Sequence, residues 1–254
     1  MGSLLRRAVL AALALCLHSG AALGADLKVF STNALRDSWP QLKPKFEARG
    51  HALELVVQPS GALGKRILGG ETGDAILSTV AGVEALDRAG KLVAGTIRPW
   101  GGSAIGVAVL KDAPRPDIST PEAFRKALLA AKAVAYSDPA GGGASGVYFS
   151  KVLERLGIAA EVNSRAKLGA GVPNAERLLK GEADLAIQQI PELAGVAGVE
   201  IVGPFPGELH NVTRFSAAVL AGSKHEAAAR ALVEFLASPE TAAFLRTKGF
   251  EVER

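Results

Sequence analysis

The stretch "LELVVQPSGALGKRILGGETGDAILST", residues 53–79, places a helix-like segment between two apolar runs. The runs at residues 53–58 and 74–79 are short and rich in aliphatic side chains, which is typical of buried strands. A strand, a helix and a second strand in this order form a βαβ unit, in which the two strands lie parallel. The stretch therefore predicts an α/β fold.

The same alternation continues on both sides of this unit. Two helix starts are marked by a hydroxyl residue, a proline and then a glutamate, at residues 119–124 and 238–244. We expect further helices from Ser145 and near Asn174, and sheets that are largely parallel with helices on their faces. The other strand-like runs lie at residues 27–32, 104–110, 133–138 and 184–189.

Residues 1–24 have the features of a cleavable export signal. Arg6 and Arg7 precede an apolar segment at residues 8–17, which is too short to span a bilayer, and residues 22–24 form a small-x-small cleavage site. We therefore expect a periplasmic protein.

The remaining 230 residues contain 27 Lys and Arg and 25 Asp and Glu, because two of the 29 basic residues, Arg6 and Arg7, belong to the predicted signal. This near balance, together with few aromatic residues, argues against nucleic acid as a partner. The only cysteine, Cys16, lies in the signal, and no later run approaches the roughly 18 apolar residues of a membrane span. We expect a monomer without disulfides.

Two segments rich in glycine and proline, residues 97–106 and 203–215, divide the predicted elements into two groups. We interpret them as two crossovers between lobes. Lobe I would contain residues 25–102 and 211–254, and lobe II residues 103–210. The cleft between the lobes is then the expected ligand site.

Four loops at the ends of predicted strands share hydroxyl, small or glycine residues. They are "STNAL" (31–35), "PSGAL" (59–63), "STV" (78–80) and "DPAGGGASG" (138–146). Loops of this kind at helix N-termini bind anions through hydroxyls and backbone N–H groups. The alternative for each serine is an ordinary helix cap. The candidate ligand residues are Thr32, Asn33, Ser60, Gly61, Ser78, Ser103, Gly142, Gly143, Ala144, Ser145 and Gly146.

Further candidates lie at the rim of the predicted cleft. Lys65 and Arg66 follow one turn into the helix after Ser60, where they could meet carboxylates. Gln188 and Gln189 end a strand, so only one of the two can face a ligand.

Other chemistries have weaker signals. The mature histidines, His51, His210 and His225, have no paired spacing, so we expect neither a metal site nor a cofactor. The G-x-S-x-G motif of common hydrolases is absent, and the glycine turn does not match a phosphate loop.

Four segments, in this order and spacing, resemble the periplasmic molybdate-binding proteins of ABC importers. They are "VFSTNALRDSW", "PSGALGKRILGGETGDAILST", "DP…ASGVY" and "RLLKGEADLAIQQ". The resemblance covers nearly the whole mature chain. It implies a two-lobed periplasmic binding fold of type II, with an ABC permease as partner and a small anion held by hydroxyls and N–H groups. It also adds Tyr148, after the glycine turn, to the ligand candidates.

Three positions depart from the molybdate pattern. Ala34 stands where the family has a serine, Ala144-Ser145-Gly146 replaces a proline-alanine-glycine turn, and glutamines 188 and 189 replace a late tyrosine. A lost hydroxyl and a lost tyrosine favour a larger organic anion over molybdate.

The segment "RPDISTPEAF…AYSDPAGGGASGVYFSKVLERLGI" is more similar to a branch of this family that includes a periplasmic aconitate isomerase. That activity moves an allylic proton without a cofactor. It would need a base, for which Asp74, Asp138 and His210 are the candidates. The first hypothesis is therefore an anion-binding protein of an ABC importer, and the alternative is an aconitate isomerase.

Overall fold

A computed structural model describes residues 25–169 and 173–252. The predicted export signal, residues 1–24, lies outside the described residues. Within the described part of the chain, no helix is both long and apolar enough to cross a membrane.

Nine strands are formed by the described residues. Five of the six predicted runs agree with a strand to within one residue at each end, whereas the strand predicted at residues 104–110 begins at residue 98. The strands Lys167–Gly169, Val199–Pro204 and Val212–Val219 were not predicted. The strands are β1 Asp26–Thr32, β2 Ala52–Gln58, β3 Ala75–Thr79, β4 Arg98–Leu110, β5 Val134–Ser137, β6 Lys167–Gly169, β7 Leu185–Gln189, β8 Val199–Pro204 and β9 Val212–Val219.

Helices alternate with these strands. They are α1 Trp39–Glu47, α2 Ser60–Leu68, α3 Val80–Arg88, α4 Pro121–Ala130, α5 Ala144–Arg155, α6 Ala159–Asn163, α7 Glu176–Leu179, α8 Ile190–Ala194, α9 Glu226–Leu236 and α10 Pro239–Thr247. Short 3-10 helices span Asn33–Leu35 and Gly207–Leu209.

The strands form one mixed sheet in the order β2-β1-β3-β9-β4-β7-β5-β6, with β8 paired to β4. The outer strands pair in parallel, as the βαβ pattern predicted, namely β1 with β2 and β3, and β5 with β6 and β7. The central strand β4 is antiparallel to its partners β7, β8 and β9. The reason is that β4 takes the chain from one lobe into the other and β9 brings it back.

Each lobe has a hydrophobic core of its own. In the first lobe, Phe46, Trp100 and Phe215 belong to a cluster on one side of the sheet. In the second lobe, Phe124 and Phe149 pack with apolar side chains drawn from residues 105–209. Because the two clusters have no residue in common, the molecule is a two-lobed α/β protein, as predicted.

The lobes are joined where β4 changes its neighbours. Residues 98–104 pair with β9, whereas residues 105–108 pair with β7. At the change, the Ile105 carbonyl accepts a hydrogen bond from the Phe205 N–H (3.1 Å), and the Ile105 N–H donates to the Asn211 carbonyl (3.2 Å). We propose that this junction is the hinge, two residues from the predicted boundary at residues 102 and 103.

Some serine and threonine hydroxyls cap a helix, whereas others at helix starts do not. The hydroxyls of Thr120 and Ser238 accept hydrogen bonds from first-turn N–H groups, as the sequence predicted. Ser60 and Ser145 lie inside the first turns of α2 and α5, and neither helix has a side-chain capping bond. The hydroxyls of these two serines are therefore not used as caps.

Candidate functional site

A cleft of about 490 Å³ lies between the two lobes. It is lined by the last residue of five strands, two in the first lobe and three in the second: Thr32 of β1, Gln58 of β2, Ser137 of β5, Gly169 of β6 and Gln189 of β7. Ligands of open α/β sheets bind beyond the carboxyl ends of strands, where the loops into the following helices leave a crevice.

Six further residues that the sequence predicted also line the cleft. The helix α2 brings Ser60 to the cleft, and its hydroxyl lies 3.2 Å from Oγ1 of Thr32. The first-turn N–H groups of a helix have no acceptor within the helix, and the helix dipole is positive at this end. The other lining residues that the sequence predicted are Asn33, Asp138, Gly143, Ala144 and Ser145.

The opposite wall contains a hydrogen-bond network at the start of α5. The Asn174 side-chain amide donates to Oγ of Ser137 (3.1 Å), and Oγ of Ser145 lies 3.4 Å from the same atom. Ser145 is 3% exposed. These contacts fix the side chains, so that hydroxyls and the N-terminus of α5 face the N-terminus of α2 across the cleft.

The two lobes touch through a pair of glycines beside this cleft. The Gly61 N–H donates to the Gly142 carbonyl (3.1 Å). A Cβ atom added to Gly61 would lie 2.8 Å from Cα of Gly142, closer than real Cβ contacts. Gly142 has φ of +74°, which favours glycine. The sequence candidates Gly61 and Gly142 therefore form a backbone contact between lobes.

Glu192 was not predicted from the sequence, although it lines the cleft together with Arg36. Its carboxylate accepts a hydrogen bond from Nε2 of Gln188 (2.6 Å). Burial raises the pKa of Glu192 to about 7, against the opposing effects of the Gln188 hydrogen bond and the charge of Arg36. The cleft therefore holds a carboxyl group that changes charge near neutral pH.

A sequence signal for Glu192 was present. The segment "QIPE" places a proline and a glutamate at a helix start, as in the two helix starts that were recognised. Arg36 likewise follows "STNAL" directly, and Nη2 of Arg36 donates to Oδ1 of Asn33 (2.9 Å).

The two glutamines at the end of β7 have separate roles, as the alternation of a strand requires. Gln189 lines the cleft, and its Nε2 donates to Oγ1 of Thr213 (2.7 Å). Gln188 accepts the Asn174 N–H at Oε1 (2.8 Å) and donates to Glu192, so it supports other cleft residues.

Several predicted ligand residues have structural contacts instead. Ser103 donates to the Ala104 carbonyl (3.1 Å). Ser78 is 1% exposed and lies outside the cleft lining, and its buried hydroxyl has no hydrogen-bond partner among the described residues. Tyr148 donates to the Leu209 carbonyl (3.3 Å) outside the cleft. A Cβ atom on Gly146 would collide with the Ser137 carbonyl oxygen, so this glycine allows α5 to pack closely on β5.

The predicted rim cations also lie outside the cleft lining. Arg66 forms an ion pair with Glu71, with Nη2 at 2.7 Å from Oε1. Lys65 borders a neighbouring groove, which contains Tyr148 and shares Ser60 and Ala144 with the cleft. The cation that lines the cleft, among the described residues, is Arg36.

Of the three predicted bases, the structure brings only Asp138 to the cleft. The Asp74 carboxylate is buried and accepts hydrogen bonds from the Lys28 N–H (2.8 Å) and the Ser223 hydroxyl (2.6 Å), which anchors the start of β3. His210 is exposed in the second crossover, outside the cleft lining.

Two lobes joined by paired crossovers, with a polar cleft at helix N-termini between them, define a periplasmic binding protein fold of type II. The chain belongs to the family described as bacterial extracellular solute-binding protein, which matches residues 27–251.

The chain is also similar to a named relative and to solved structures of binding proteins. The chain is 33% identical over 232 residues to an aconitate isomerase of a Pseudomonas species, covering 89% of this chain and 87% of the relative. The periplasmic molybdate-binding protein of Azotobacter vinelandii has a TM-score of 0.74 at 20% identity, over 90% of this chain and 100% of that one. A sulfate-binding protein of Mycobacterium tuberculosis has a TM-score of 0.72 at 19% identity, over 90% and 88%. The two structural similarities show the fold alone.

Proposed function

We propose that this protein captures a small organic carboxylate in the interlobe cleft, in the periplasm, and delivers it to an ABC permease. The observation that carries the proposal is the convergence of hydroxyls and two helix N-termini on one cleft beside Arg36. Such groups bind carboxylates by charge-assisted hydrogen bonds. We also propose that residues 1–24 are the export signal, which predicts a mature N-terminus at Ala25 by mass spectrometry.

Two features favour an organic anion over molybdate or sulfate. A volume of about 490 Å³ is within the range of pockets for organic ligands. Asp138 also lines the cleft, and its carboxylate would repel a compact dianion held beside it. A larger carboxylate can place its charged groups at the helix N-termini and its carbon skeleton between them.

A thermal-shift screen tests the ligand class. We expect trans-aconitate or citrate to stabilise the protein, and molybdate and sulfate to have little effect. A ligand at 100 times its dissociation constant adds about 2.7 kcal/mol to the free energy of unfolding. Stabilisation by molybdate alone would contradict the proposal.

Replacing Ser60 by alanine is expected to weaken ligand binding roughly tenfold or more. The hydroxyl is not a helix cap, and a hydrogen bond to a charged group contributes about 1.5–3 kcal/mol. Isothermal titration calorimetry with trans-aconitate measures the loss. Ser150→Ala is the matched control, because that hydroxyl donates to the Val147 carbonyl on α5 outside the cleft lining. Unchanged affinity in Ser60→Ala would remove Ser60 from the site.

The second candidate function is aconitate isomerisation, which the 33% identical relative favours. A base would remove a proton from the CH₂ group, the electron pair would form the new double bond, and a proton would return to the former alkene carbon. No cofactor is needed, and Asp138 and Glu192 are the carboxylates available in the cleft.

Incubation of the purified protein with trans-aconitate separates the two candidates. Catalytic formation of cis-aconitate, followed by chromatography, would support the isomerase and contradict a function in transport alone. Tight binding without conversion would exclude the isomerase.

A further inference from the structure

Glu192 occupies a fixed position in the cleft. The residue belongs to α8, which packs against β4, β7, β8 and the Asn33–Leu35 segment. Glu192 accepts a hydrogen bond from Gln188, whose side-chain amide has a fixed orientation. The amide is fixed because Oε1 of Gln188 accepts the Asn174 N–H, so that Nε2 is the atom that donates to Glu192. The carboxyl group therefore has one oxygen held by Gln188 while the side chain lines the cleft.

The charges around Glu192 come from three directions. Arg36, after the 3-10 segment, favours its ionised form, and Asp37 next to it opposes that form. Asp138 lines the cleft from the other wall. The residue of β7 that faces Glu192 is Gln188, which is neutral. Among the described residues, the charged groups that shift the pKa of Glu192 are Arg36 and Asp37. In the part of the chain that the structure describes, the cleft lining thus has one cation, Arg36, and two carboxyl groups, Asp138 and Glu192, so an ionised Glu192 would oppose an incoming anion.

We propose that Glu192 is a ligand-binding residue that acts in its protonated form, donating its O–H to a carboxylate of the ligand, so that binding takes up a proton. The inference rests on the proposed function. A neutral carboxyl group removes the repulsion and adds a donor, whereas an ionised one can only accept. Because burial already raises the pKa of Glu192 to about 7, an anion beside it raises the pKa further.

Isothermal titration calorimetry with trans-aconitate, in two buffers of different ionisation enthalpy, measures the proton taken up. At pH 8, above its pKa of about 7, Glu192 is mostly ionised before the ligand binds, so we expect uptake of close to one proton per ligand. Between pH 7.5 and 8.5, where the ligand carboxyls are fully ionised, affinity should fall roughly eightfold. Glu192→Gln keeps a donor without a titrating group, so it should bind without proton uptake and with affinity independent of pH.

Two further variants test the assignment. Glu192→Leu, which has no donor, is expected to bind at least tenfold more weakly than Glu192→Gln at every pH. Asp138→Asn removes the other cleft carboxylate and should leave proton uptake unchanged. Wild-type binding without proton uptake, or equal uptake in Glu192→Gln, would overturn the inference. If neither trans-aconitate nor citrate bound the wild type, the proposed function itself would fail, which is a distinct result.

Discussion

Replacing Gly61 by alanine is expected to weaken ligand binding about 5- to 150-fold without lowering the stability of the fold. The new methyl group would lie 2.8 Å from Cα of Gly142 in the opposite lobe, where backbone rather than a flexible side chain must move. Overpacking of this kind costs about 1–3 kcal/mol, and here the lobes can relieve it by moving apart. The variant therefore opposes closure around a ligand, and calorimetric titration with trans-aconitate measures the effect.

The matched control is Gly64→Ala in the same helix. A Cβ atom there has no neighbour within 4 Å, and alanine in place of glycine stabilises a helix by about 1 kcal/mol. Affinity should be unchanged in this control. Unchanged affinity in Gly61→Ala as well would mean that the contact between Gly61 and Gly142 is not needed for binding.

Replacing Gly146 by alanine is expected to destabilise the protein by about 3 kcal/mol or more. The added carbon would collide with the Ser137 carbonyl oxygen, so α5 would have to move away from β5. For a chain of this size, such a loss lowers Tm by roughly 6–12 °C. Thermal unfolding checks the value.

Gly64→Ala again serves as the control, with an expected small gain in stability. A Gly146→Ala protein with wild-type stability and lost affinity would contradict the packing role. It would instead support the sequence-based hypothesis that this glycine contacts the ligand.

The architecture was predictable because it follows from local patterns. Apolar runs such as residues 53–58 and 74–79 locate the strands, and the hydroxyl-proline-glutamate signals at Thr120 and Ser238 locate helix starts to the residue. The antiparallel direction of β4 and β9 was not predictable in this way, because strand direction depends on the path between lobes.

The cleft was predicted in part for the same reason. Thr32, Ser60 and Ser145 were found because strand ends meet at one edge of a sheet. Glu192 was missed although its helix start carries a recognisable signal, because its importance arises from burial beside Gln188.

By itself, the sequence determined the α/β class, the two lobes and the small polar loops that follow the strands. These properties depend on hydrophobic periodicity and turn chemistry within a few neighbouring residues. Only the tertiary structure decided which of the small and charged residues share the cleft. It placed Gly61 and Gly142 in a contact between lobes and Gly146 where a helix packs on a strand, and it brought Glu192 to the cleft. Contacts between residues far apart in the chain depend on how the lobes pack. The sequence alone does not show which surface a glycine or a carboxylate faces.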